Sequence, residues 1–283
     1  MIKVLSCCTL LLALIVSAAQ PSVAQRHKKG WKLVWHDEFR YKGLPNPKKW
    51  SYETGHIRNQ EQQYYTTARQ ENAWVQNGVL TITGRKEPYP NAAFTPGSND
   101  WKQQHAEAQY TSASINTLGK GEWKYGRVEV RAKLPQGAGI WPAIWMMGVN
   151  RSEVGWPYCG EIDILEFVGN QPDEIYGTVH YPGTPPQRST SNGGKIKVKD
   201  LHNAFQVYAM EWDEEKIDIY FNDQKFHTFQ LNEAGEEEGN PFRKPFYLLI
   251  NLAMGASWPG PIDDQVLPQE YVIDYVRVYQ QRK

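Results

Sequence analysis

Short runs in which apolar and polar residues alternate recur along most of the chain. The clearest are GVLTITGR (78–85), GRVEVRAKL (126–134), AFQVYAMEW (204–212), KIDIYF (216–221) and YVIDYVRVY (271–279). In the second, Val128, Val130, Ala132 and Leu134 share one face while Glu129, Arg131 and Lys133 share the other. A period of two marks a strand with one buried side. Turn residues separate the runs, and NDQ at 222–224 predicts a hairpin between Phe221 and Phe226. Apolar residues at helical spacing are scarce, and EAGEEEG (233–239) reads as a solvated loop. Many strands and few helices predict an all-β fold, a two-sheet antiparallel β-sandwich of the jelly-roll kind.

One run breaks the pattern. GEIDILEF (160–167) sets three carboxylates in an otherwise apolar strand. Strict alternation puts Glu161, Asp163 and Leu165 on one face and turns Glu166 into the core with Ile162 and Ile164, where an unpaired charge is costly. A one-residue β-bulge near Ile164-Leu165 resets the phase and returns Glu166 to the face of Glu161 and Asp163. The two glutamates then stand about 13 Å apart at Cα, at about 3.3 Å per residue. Side chains leaning toward each other bring the carboxyls to about the 5–5.5 Å of a retaining glycosidase. Asp163 between them forms a like-charge cluster that drives the pKa values of its members apart, as acid and base roles require. Two bland readings compete: a cation site, for which a stiff strand is a poor cage, and the wet face of an edge strand.

The chain opens with MIKVLSCCTLLLALIVSAAQPSVAQ, a lysine followed by an apolar run and small residues. This predicts a signal peptide over 1–24, cleaved after Ser22-Val23-Ala24, with export to the periplasm or beyond. The apolar run is short of the roughly 20 residues of a membrane span. Of three cysteines only Cys159 follows the signal, so the mature domain, 25–283, must fold without an internal disulfide. Cys159 itself reads as a small buried residue. No internal repeat or composition break marks a second domain.

Lys+Arg and Asp+Glu both number 31. That balance gives no basic field for nucleic acid and points to an uncharged partner. Eleven Trp and 16 Tyr provide flat rings suited to the C–H faces of sugars, although most indoles belong to the core.

GEIDILE, in company with YGRVEVRAKLPQGAGIWPAIWMMG, GTVHY, NLAMGASWPG and IDYVRVYQ, resembles glycoside hydrolase family 16, in its laminarinase-like branch of bacterial endo-β-1,3(4)-glucanases. The likeness runs from WHDEF near position 35 to the end. It implies a jelly roll with a concave substrate cleft, a neutral β-glucan polysaccharide as substrate, no cofactor for catalysis and a monomer. By the same likeness Glu161 is the nucleophile, Glu166 the general acid and base, and Asp163 the helper that tunes the nucleophile. Two residues between Asp163 and Glu166 is the laminarinase and agarase spacing; the lichenase type has one.

Pro142 argues against a helix interior in GIWPAIWMM, so strand alternation puts Trp141, Ala143 and Trp145 on one face and Ile140, Ile144 and Met146 on the other. The first face resembles the cleft floor of the family. Trp156 and Trp258 are expected as loop-borne sugar contacts, His180 beside the acid/base, and Asn72 and Glu61 in hydroxyl recognition. The family commonly holds a structural calcium on the face away from the cleft, and the matching positions are Glu38, Gly78 and Asp274. One departure stands out: YTSASINT has Ser114 where laminarinases often have arginine, which removes a five-donor fork and brings mixed-linkage glucan level with laminarin as substrate. The alternatives are an agarase or carrageenase, which calls for basic residues in the cleft, and a non-catalytic β-glucan-binding lectin, which typically lacks one or both glutamates.

Overall fold

A computed structural model describes residues 30–282; the expected signal peptide lies outside the described residues. Two sheets face each other. One has ten strands, in the order Gln224–Gln230, Lys216–Phe221, Gln206–Trp212, Gly126–Lys133, Gln269–Gln281, Val79–Pro90, Glu107–Ser112 and Gln63–Tyr65, with Trp31–Asp37 and Ala73–Gln76 paired at its side. The other has eight, running Ser189–Lys197, Glu174–Pro182, Glu161–Glu166, Ile140–Gly148, Phe246–Met254, Ser114–Asn116 and Ser51–Tyr52, with Glu122–Trp123 also on Phe246–Met254. The five alternating runs all form strands, and the all-β sandwich is the observed fold. One pairing departs from the antiparallel expectation: Gln63–Tyr65 runs parallel to Glu107–Ser112. Among the described residues no helix is long and apolar enough to cross a membrane.

The inward rows of both sheets form one core. Val128, Val130, Ala132 and Leu134 meet Ile140, Ile144 and Met146 there, together with Ile162 and Leu165. The hairpin closes where Phe221 pairs with Gln224, so Asn222 and Asp223 make the turn, and Asn222 takes the left-handed conformation that short hairpins need.

The polar row of the Gly126–Lys133 strand is drier than alternation implies. Arg127 and Glu129 are buried. Arg127 donates to Glu129 and Glu211, and Tyr275 donates to Glu129. Neighbouring strands carry complementary long side chains at matching register, and these shield one another from water.

Candidate active site

The Glu161–Glu166 strand lies between Ile140–Gly148 and Glu174–Pro182. On the first side Ile144 pairs with Leu165 but Trp145 pairs with Asp163, so Ile164 has no partner. On the other, Asp163 pairs with Thr178 and Glu166 with Tyr176, three steps against two. This is the one-residue bulge, at the place the acid pattern predicts. Ile162, Ile164 and Leu165 all join the core, while Glu161 and Glu166 are partly exposed on the other face with Asp163 buried between them. Gly160, just ahead, sits at φ +74°, and a Cβ there would come within 2.8 Å of Pro241 and 2.9 Å of the Phe246 ring. Glycine lets the strand begin tight against that loop.

The carboxylates open into a cleft of about 760 Å³ on the eight-stranded sheet, whose lining includes Trp141, Trp145, Trp156, Trp258, Tyr176 and His180. Trp258 meets Trp141 edge-on at 5.3 Å and Tyr176 at 5.2 Å, which braces three rings beside Glu166. The loop that carries Trp258 passes through Ala256 at φ +84°, a strained position for a residue with a Cβ.

The acids differ in their surroundings. Burial pushes the Asp163 carboxyl well above the usual range, and the Glu161 charge and a hydrogen bond with Glu161 push it further. Glu166 is also held well above the usual range, first by burial, then by the charges of Asp163 and Glu161, with His180 and the Trp141 indole opposing. Trp141 Nε1 completes no aligned hydrogen bond, so its pull on Glu166 is that of a nearby donor. Glu161 accepts a 2.6 Å hydrogen bond from Trp156 Nε1. His180 pairs in register with Glu161, and its Nε2 lies 3.1 Å from Asp163 Oδ2, close but too poorly aligned for a hydrogen bond. Ser191 Oγ holds its Nδ1 at 2.8 Å. Glu161, Asp163 and His180 offer one donor atom each within 4.8 Å. With Asp163 biased toward its protonated form, that trio suits proton handling better than a metal, whose ligands must be deprotonated.

Trp141, Trp156, Trp258 and His180 all reach the cleft with the three acids. His180 stands against Asp163 and opposite Glu161, and near enough to Glu166 to act on its carboxyl. Trp145 is 5% exposed, its Nε1 donates to Asn251 at 2.7 Å, and the Arg58 guanidinium lies over its ring at 4.9 Å. It is a supporting floor, with little free face for a sugar. Glu61 is buried, accepts from Asn59, Gln63 and Tyr65, and lines a small pocket of about 40 Å³ beside the three acids. Asn72 is a correction: it is wholly buried and ties Thr66, Arg69, the Thr83 carbonyl and Thr111 together, so it recognises protein and has nothing left for a hydroxyl.

The calcium positions do not form a matching donor set. Both Glu38 oxygens accept from Arg277 at 2.8 Å, Asp274 is paired with Arg131, and Gly78 is a left-handed turn residue. Arginine already neutralises each carboxylate a cation would need. The fork missing at Ser114 is not missing from the cleft. Arg58 and Arg151 both line it, so basic residues are present where net charge gave no hint of them. Sequence reasoning also missed Tyr176, Asn251 and Ser191. Tyr176 lies on a strand that flanks the acid strand, and Ser191 on the next strand out, in register with His180, so register alone would have nominated both.

The profile of Glycosyl hydrolases family 16 matches residues 60–277. The chain belongs to this family. A β-glucanase of Rhodothermus marinus is 44% identical over 260 residues, 88% of this chain and 85% of the relative. The solved laminarinase of the same organism aligns with TM-score 0.78 at 42% identity, covering 89% of this chain and 98% of the other. A structure described under endo-acting O-glycanases by which human gut bacteria initiate mucin breakdown aligns with TM-score 0.83 at 40% identity, covering 89% and 92%. The family match spans the acid strand and the whole lining of the cleft apart from Arg58 and its neighbour Asn59.

Proposed function

We propose that the chain is an exported, endo-acting retaining hydrolase of β-1,3- and mixed-linkage β-1,3-1,4-glucans. Glu161 attacks the anomeric carbon while Glu166, held protonated, gives its proton to the departing glycosidic oxygen. Glu166 then takes a proton from the water that releases the glycosyl-enzyme. Asp163 shares a proton with Glu161 and orients it, and Trp156 fixes one of its oxygens. The observation that carries this reading is the bulge, which puts all three acids on one wall of an open aromatic cleft with Glu166 biased toward its acid form. The intact trio also argues against a lectin.

A second reading, cleavage of mucin-type O-glycans, is favoured by the likeness to the O-glycanase structure. Reducing-sugar release from laminarin, lichenan, agarose and gastric mucin, by wild type and by Glu161→Ser, tests both. Release from the glucans that disappears in the variant is expected. Release from mucin or agarose alone would overturn the glucan assignment, and release that persists in Glu161→Ser would overturn the nucleophile.

A further inference from the structure

The cleft contains a charged side chain that the proposed chemistry leaves unused. Arg58 comes from the loop after Ser51–Tyr52 and lies over Trp145 at 4.9 Å. Its Nη2 pairs with Glu53 Oε1, and the other oxygen of Glu53 accepts from Ser114 Oγ at 2.6 Å. Its Nη1 is buried and has no acceptor. Ser114 pairs in register with Asn251, Asn251 with Ala143, and Ala143 with Glu166. The Glu53–Ser114 anchor therefore lies on the transverse row of Glu166, three strands away, or about 14 Å at about 4.8 Å per strand.

Nη1 has no surface open to the cleft, so a sugar meets the remaining edge of the guanidinium, which lines it. Glu53 cancels the charge of Arg58, so the pair presents oriented N–H donors with little net field. That suits the hydroxyls of a neutral pyranose better than a sulfate or carboxylate. The indole below and Glu53 beside it fix the guanidinium plane, which lowers the entropy lost on binding.

We infer that Arg58 is a specificity-determining residue of the cleft, a planar donor fork that binds the hydroxyls of a neutral sugar in the subsite above Trp145. The inference rests on the glucan reading. A contact made equally in the bound substrate and the transition state affects KM and leaves kcat alone.

The test is steady-state kinetics on laminarin and lichenan for wild type, Arg58→Ala and Arg58→Lys, with thermal midpoints measured alongside. Loss of a charge-assisted hydrogen bond predicts a KM about 10- to 100-fold higher for Arg58→Ala, with kcat within about twofold. Arg58→Lys keeps a cation for Glu53 and recovers the midpoint, but lacks the fork and keeps the raised KM. Wild-type KM in Arg58→Lys would show that only the charge matters and would overturn the inference. So would an unchanged KM in Arg58→Ala, or a loss confined to kcat. Wild type inactive on both glucans removes the glucan reading and this inference together, whereas an active wild type with an indifferent Arg58 removes this inference alone.

Discussion

Replacing Glu166 with glutamine separates the cost of the site from its chemistry. Glu166 and Asp163 both have raised pKa values in the fold. The folded protein therefore keeps protons that the unfolded chain gives up above the ordinary values, 3.8 for the aspartate and 4.5 for the glutamate. The stability each proton carries is complete below its own ordinary value and is lost as pH rises toward the folded value. Within that window each acid costs the wild type about 1.4 kcal/mol per pH unit. Glutamine is isosteric with the protonated acid and does not titrate. Glu166→Gln should lose one acid's share of the slope, so one pH unit inside the window moves its thermal midpoint about 3 to 6 °C less than that of the wild type. Activity on glucan should fall about 10²- to 10⁴-fold, the usual worth of a general acid. Thermal melts at half-unit steps from pH 4 to 8, with reducing-sugar rates on the same samples, measure both. A variant with the wild-type slope, or one less stable than wild type at pH 7, would mean that Glu166 is ionised in the fold, and its role as acid would fall.

Other outcomes follow from the same geometry. Trp258→Ala unbraces Trp141 and Tyr176 and should raise KM about 2- to 10-fold, the worth of one aromatic contact, in initial-rate assays. Arg277→Ala leaves Glu38 half-buried without its partner and should cost about 3 to 5 kcal/mol in denaturant melts, with kcat unchanged in the folded fraction. Because arginines hold Glu38 and Asp274, EDTA should not shift the thermal midpoint. A site saturated 100-fold over its Kd would lose about 2.7 kcal/mol on chelation, and a drop of that size would restore the calcium expectation. Burial pushes the Cys159 thiol up to about 11, so a thiol reagent at pH 7.5 should modify it only on unfolding; labelling of native protein would place it elsewhere.

The acid strand was legible because two local rules collided there. Period two and the cost of burying Glu166 admit few solutions, and a bulge at 164 is one. Trp141 and the core positions Ile140, Ile144 and Met146 followed from the same rule. Arg58 was not legible, since it reaches Trp145 from a loop and no periodicity governs where a loop arrives. Asn72 misled for a related reason: an asparagine beside a turn can serve the backbone or a ligand, and only its neighbours decide. The burial of Arg127 and Glu129 was hidden because alternation tells which side a residue faces but not what the adjacent strands place beside it. Ser114 illustrates the same limit, for its hydroxyl is joined through Glu53 to an arginine 56 places earlier in the chain.

Ile164 is the residue that neither neighbouring strand pairs with. If its codon were deleted, Asp163 would still stand across from Trp145 and Thr178, and Glu166 across from Ala143 and Tyr176. The ladder would simply become regular, with the three acids still on the same wall. Two strand lengths are thus compatible with one catalytic surface, and a lineage could pass from either to the other in a single genetic step without turning the sheet inside out.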